Sequence, residues 1–126
     1  MKINKDKTEI EAEVRHILSF HKGKANPVGR WELVERIFGR EAAANRGNNN
    51  PFDRQIRQAI EKYRIPDFIC STSGQAGYWI ADDMDDIESV AVEFEKRATQ
   101  ELEKARNLRK RGMERFGGQM SLLKGN

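Results

Sequence analysis

Three side chains of this sequence fall where they can do recognition chemistry. Arg54, Arg57 and Gln58 lie in a segment whose apolar residues Phe52, Ile56, Ala59, Ile60 and Tyr63 recur at helical spacing, and they sit opposite that stripe. An arginine fork matches the two acceptors on a guanine edge, and a glutamine amide matches the donor and acceptor of adenine. The same groups also serve as ordinary solvated surface. Glu61 shares their face and repels phosphate, so contact is expected in the first two turns. Just upstream, Arg46, Asn48 and Asn49 lead into Asn50-Pro51. Asn50 suits a helix cap and Pro51 the first helical position. The backbone N–H groups of such a helix start attract phosphate; a flexible polar loop is the alternative reading. Downstream, Ser73 and Gln75 sit in a turn-rich stretch that carries no Lys or Arg over residues 72–76, leaving hydroxyl and amide groups for phosphate contact.

No constellation for bond-making chemistry accompanies them. His16, His21 and the single Cys70 have no clustered spacing for zinc. Cys70 lies in an apolar run and reads as a small buried hydrophobe rather than a nucleophile. Asp82, Asp83, Asp85 and Asp86 lack the spacing of a calcium loop and suit the positive end of a helix dipole. Nucleophile elbows and phosphate loops are missing. The expectation is a protein that is not an enzyme and needs no metal or cofactor.

The elements that must position these residues follow from periodicity. Ile10, Val14, Ile17 and Leu18 make one stripe of a helix over residues 8–20, for which Thr8 and Glu11 form a candidate capping box. An extended link over 25–28 precedes a helix over 30–38, stopped by Gly39. A polar connection over 40–50, with a helical turn at 41–44, leads to the helix that starts at Pro51 and closes before Pro66. Residues 68–71 and 78–80 form a hairpin around the 72–77 loop. One of Tyr78 and Trp79 is expected in the core and the other partly exposed, with Trp31 as a candidate neighbour. A long helix then runs from Asp82 or Asp83 to about residue 111, ending in Arg109-Lys110-Arg111. From Gly112 the chain is expected to be irregular, with Gly117-Gly118 as a joint.

Composition fits this layout. Apolar residues make up 37% and charged residues 34% of 126, enough for one modest core with an exposed helix or tail. Residues 1–80 carry 14 basic and 10 acidic side chains, residues 81–104 carry 3 and 9, and residues 105–126 carry 6 and 1. The single cysteine excludes an intrachain disulfide, and no apolar run approaches the roughly 18–20 residues of a membrane span. The first ten residues lack the apolar core of a signal peptide. A soluble cytoplasmic protein with no membrane partner is expected.

Helix, short strand, helix, helix, hairpin is the order of a winged helix. The stretches Trp31-Glu32-Leu33-Val34-Glu35-Arg36-Ile37-Phe38-Gly39, Arg57-Gln58-Ala59-Ile60, Ile69-Cys70-Ser71 and Gly77-Tyr78-Trp79-Ile80 resemble the winged-helix proteins often encoded by bacteriophages and prophages, over about residues 8–110. The resemblance implies an α+β, mostly α fold. A winged helix-turn-helix of three helices and a β-hairpin wing would occupy residues 1–81, a long helix 82–112 and a flexible tail 113–126. It also implies DNA binding through the third helix, although some winged helices bind only proteins, and the wing lacks the basic residues seen in others.

The end of the chain carries a second resemblance. Gln119-Met120-Ser121-Leu122-Leu123 is similar to the bacterial sliding-clamp-binding motif, usually Gln-Leu-Ser/Asp-Leu-Phe/Leu, with Met120 in place of Leu. In that mode a short extended peptide anchors two apolar side chains in a pocket and the Gln fixes one end. Together the two resemblances imply an accessory protein of phage DNA replication whose partners are DNA and the bacterial DNA polymerase sliding clamp. The alternatives are a transcription regulator that forms a homodimer through the 83–111 helix, and an adaptor that binds only protein. The stripe of that helix, Ile87, Val90, Ala91, Phe94, Ala98, Leu102, Ala105 and Leu108, is interrupted by Arg97 and Glu101 and drifts from a strict heptad. Residues 83–94 are therefore expected to pack on the N-terminal domain, and the second half to project into solvent or self-associate.

Overall fold

The computed structural model describes residues 5–71 and 77–124, with side chains up to residue 118. It is an α+β chain, mostly helical, with one two-stranded antiparallel hairpin and a long C-terminal helix. Helix α1 spans Lys7–Leu18. Its capping box is Asp6–Glu9, two residues before the expected Thr8–Glu11 pair: Asp6 Oδ1 accepts from Glu9 N at 2.8 Å and Glu9 Oε1 from Asp6 N at 3.5 Å. Aspartate caps as well as threonine, and the earlier start leaves Glu11 free to turn inward. Its carboxylate accepts from Lys62 Nζ at 3.1 and 3.2 Å and from Tyr63 Oη at 3.3 Å.

Helix α2 spans Arg30–Phe38 and stops at Gly39, whose φ of 103° suits glycine. A 3-10 turn at Arg40–Ala43 follows and buries Ala42 and Ala43. Helix α3 spans Pro51–Tyr63 with Asn50 as its cap, as the sequence predicts. Leu18, Leu33, Val34, Phe38, Ile56 and Ile60 meet between these three helices and are almost wholly shielded from solvent.

Strands β1 (Ile69–Ser71) and β2 (Tyr78–Ile80) pair with Ile69 opposite Ile80 and Cys70 opposite Trp79. On its other edge β2 meets the chain before α2. Val28 and Tyr78 exchange N–H···O bonds of 2.8 and 2.9 Å, Gly23 N donates to Ile80 O at 2.9 Å, and Ile80 N donates to His21 O at 2.8 Å. Strand alternation then sorts the side chains. Ile69, Tyr78 and Ile80 pack with the three-helix core, and Trp31 borders the same core. Trp79 joins Cys70 and Val90 in a second cluster. As expected, one aromatic residue of β2, Trp79, is buried and the other, Tyr78, is partly exposed, on opposite faces, and Trp31 neighbours the core that Tyr78 borders rather than the cluster of Trp79.

Two compact units divide the chain, Met1–Val90 and Ala91–Asn126. Helix α4 spans Met84–Lys124, and Asp83 Oδ1 accepts from Asp86 N at 3.0 Å at its start. Among the described residues no side chain beyond Val90 is buried, and Phe94 is 41% exposed. The helix also continues past the expected end near residue 111. Its backbone stays helical through Gly112 and Gly117-Gly118 to Lys124, where the sequence predicts an irregular tail. A helical glycine costs about 1 kcal/mol relative to alanine without breaking the ladder, and the Met, Glu, Arg, Gln and Leu residues around these glycines are good helix formers.

Gly77 controls the crossing of β2 under Val28. Its φ is 99°, and a Cβ there would overlap the Val28 carbonyl and crowd the Gly29 Cα. Gly77→Ala should therefore lower stability by on the order of 2–4 kcal/mol, combining left-handed strain with a backbone clash. Urea unfolding followed by tryptophan fluorescence measures this; an unchanged midpoint would mean that the two segments do not cross so closely.

Candidate nucleic-acid interface

The first turn of α3 brings a carboxylate into the protein. Asp53 lies three residues after the Asn50 cap, on the inward side of the helix, and is fully buried. A buried carboxylate is tolerated when cations and donors surround it. Arg30, the first residue of α2, supplies two bonds: Nε to Oδ1 at 2.9 Å and Nη2 to Oδ2 at 2.7 Å. Arg57, one turn along α3, supplies a third from Nε at 2.8 Å. Both arginines also hold the loop before α3. Arg30 Nη2 donates to Asn48 Oδ1 and Arg57 Nη2 to Asn48 O, each at 3.2 Å.

Asn50 completes the arrangement. Its Oδ1 accepts from Phe52 N and Asp53 N at 2.8 and 3.1 Å, and its amide donates to Ala42 O and Asn45 O, both at 2.7 Å. The Arg30 guanidinium also lies 4.7 Å from the Trp31 ring. Its hydrogen bonding to Asp53 raises its pKa against the opposing effect of burial. The nearby Tyr78 hydroxyl is pushed up mainly by burial and further by the Asp53 charge, with Arg30, Arg57 and Arg64 pulling it back. Two guanidiniums against one carboxylate leave this junction positive.

The predicted recognition residues separate into two sets. Arg57 and Asn48 belong to the Asp53 junction, so the Nε edge of Arg57 faces inward although its side chain keeps 42% exposure. Arg54 and Gln58 are exposed on α3 and have no partner among the described residues. Arg46 and Asn49 are exposed in the loop before the helix. Glu61, expected to repel phosphate, is held by Arg64 Nη2 at 2.7 Å, and Arg64 Nη1 also reaches Ile69 O and Ser71 Oγ at 3.2 Å. Ser73 and Gln75 lie outside the described residues, as do the side chains of Gln119, Met120, Ser121, Leu122 and Leu123.

Sequence reading missed the start of α2. Gly29 occupies its N-cap and offers no side-chain oxygen, so the first N–H groups have no side-chain cap. Trp31, Arg36 and Arg46 line an open depression there with Gly29 and Arg30. Glu35 also lines it, as does Glu32, which pairs with Arg36 at 3.6 Å. Unsatisfied N–H groups beside guanidiniums favour an anion such as a backbone phosphate. The signal was present, because a glycine cap contrasts with the Asn50 cap of α3. Cys70 sits in the second cluster, where burial, with the Asp86 charge adding, raises its thiol pKa and keeps it protonated at neutral pH.

No family model, curated protein or solved structure matches this chain.

The junction makes a stability ranking. Arg57→Ala removes one charge-assisted bond to Asp53 and should cost about 1–2 kcal/mol, whereas Arg30→Ala removes two and should cost about 2–4 kcal/mol, the remaining carboxylate being buried. Chemical denaturation of the two variants tests the order, and equal stability of Arg57→Ala and the parent protein would remove Arg57 from the junction.

Proposed function

We propose that this chain is a DNA-binding accessory protein of phage-type DNA replication: a winged-helix unit contacts duplex DNA and the peptide at residues 119–123 docks on the bacterial DNA polymerase sliding clamp. The observation that carries the DNA half is the outward side of α3, where Arg54 and Gln58 project without partners among the described residues, beside a junction left positive by Arg30 and Arg57. Supporting it, the uncapped start of α2 and Arg46 offer phosphate donors on the flank of that junction. The pairing of Val28 with Tyr78 adds a third extended segment to the hairpin, an arrangement that suits a winged helix. In this reading α3 enters the major groove and positions Arg54 and Gln58 at base edges or phosphates.

The clamp half rests on the residues Gln119-Met120-Ser121-Leu122-Leu123. Their backbone lies in the last turns of α4. Docking in the extended form therefore requires those turns to unwind, and Gly117-Gly118 lowers the cost by weakening the helix just before them. The exposed apolar side of α4 favours the second reading, a regulator that dimerises through this helix; such a protein protects a defined palindromic site, whereas a replication accessory factor does not require one.

Arg54→Ala combined with Gln58→Ala should weaken duplex binding and reduce the slope of log K against log salt by about 0.9 for each phosphate that is no longer neutralised. Its unfolding midpoint should match the parent protein, because neither side chain holds the fold. An unchanged salt titration would remove α3 as the DNA-binding element.

A peptide of residues 115–126 should bind a bacterial clamp with affinity on the order of micromolar, since a short chain loses backbone entropy on docking. Leu122→Ala with Leu123→Ala should abolish that binding and Gln119→Ala should weaken it. Calorimetry that detects no binding of the parent peptide to clamps from several bacteria would defeat this half of the proposal.

A further inference from the structure

The unit Ala91–Asn126 presents an apolar side that it does not bury. Phe94 and Leu108 are 41 and 74% exposed, and Leu102, Met113 and Phe116, at 56, 52 and 50%, flank them. Helices of this length in water draw most of their stability from packing an amphipathic face. The spacing along this face is regular when Glu101 is taken in place of Leu102. Ala91, Ala98, Ala105 and Gly112 stand seven apart, and Phe94, Glu101 and Leu108 stand seven apart three positions later. That is a heptad seam whose first position is always small.

We propose that this seam pairs antiparallel with the same segment of a second copy of the chain, about a two-fold axis between Ala98 and Glu101. Two features of the sequence choose the orientation. In this register every large seam residue faces a small one: Phe94 meets Ala105 of the second copy, Leu108 meets Ala91, and Glu101 meets Ala98. Pairing large with small fills each layer while letting the helices approach closely. A parallel pair would instead stack alanine on alanine and phenylalanine on phenylalanine. Charge makes the same choice. Residues 81–104 carry 9 acidic and 3 basic side chains, and residues 105–126 carry 1 and 6. Parallel copies set acid against acid and base against base, whereas antiparallel copies set Glu93 level with Arg106 and Glu95 level with Lys104.

Glu101 is the polar exception in the seam. It pairs with Lys104 of its own chain at 3.1 Å. Across the axis, Arg97 of the second copy stands level with Leu102, next to Glu101, so the carboxylate lies between a cation of each copy. A charged residue at one seam position fixes register at some loss of stability. The pairing deepens the second reading above and does not require DNA or clamp binding.

The test uses the full chain. Equilibrium sedimentation at low salt should give a dimer that weakens as salt rises, because opposite charges are being screened. Phe94→Lys with Leu108→Lys should raise the dimer dissociation constant by more than about tenfold. Orientation is read with nitroxide labels on a Cys70→Ala background. Labels at Thr99→Cys, beside the axis, should lie close to their counterparts. Labels at Lys110→Cys should be separated by roughly 30 Å of helix rise in the antiparallel pair but lie close in a parallel one. A monomer at all concentrations, an unchanged mass for the double-lysine variant, or Lys110→Cys labels as close as those at Thr99→Cys would each overturn the proposal.

Discussion

A carboxylate with no access to water survives in a protein only where cations and donors come to it. Asp53 is such a group, and what it requires determines how the N-terminal unit is joined. Arg30 must begin α2 where its guanidinium can reach back to α3, and Arg57 must fold over the same carboxylate from one turn further on. The loop before α3 is then held from two sides, by Arg30 and Arg57 on Asn48 and by the Asn50 amide on Ala42 and Asn45. With those fixed, the three helices close over Leu33, Phe38 and Ile56. The extended chain at Val28, immediately before α2, is set where β2 can pair with it.

The same junction leaves the outside of α3 for other use. One carboxylate balances only part of the charge of two arginines, and Glu61 is already engaged by Arg64. The exposed side therefore presents Arg54 and Gln58 without an internal partner among the described residues. A fold that commits some arginines to holding itself together and leaves another outward next to them is well suited to an anionic partner, which is the basis of the proposed DNA contact. Unit Ala91–Asn126 poses a different physical problem. Among its described residues the helix has no buried side chain, and the proposed pairing with a second copy would cover its apolar side.

Much of the fold is legible in the sequence because its signals are local. Apolar residues three and four apart mark the inner sides of α1, α2 and α3, Asn50-Pro51 marks the start of α3, and Gly39 marks the end of α2. Strand alternation separates Tyr78 from Trp79 but leaves open which faces which cluster. The failures share a cause. Asp6 and Thr8 are both competent caps, and the choice is decided by the burial of Glu11 against Lys62 and Tyr63, some fifty residues away in sequence. Glycine near residue 112 reads as a stop, yet the residues around it sustain the helix to Lys124.

For the candidate site the division is sharper. The sequence by itself determined that an arginine-bearing helix follows an asparagine cap, that its outward side is polar, and that the chain carries a Gln-Met-Ser-Leu-Leu peptide near its end. Helical period and capping chemistry need nothing beyond neighbouring residues. Only the tertiary structure decided which arginine is committed to the fold and which has no partner among the described residues. Arg54 and Arg57 are equivalent in type and nearly equivalent in position on the helix. Arg57 is drawn inward because burial of Asp53 demands a second cation, and that demand arises only when α2 brings Arg30 and the core closes around the carboxylate.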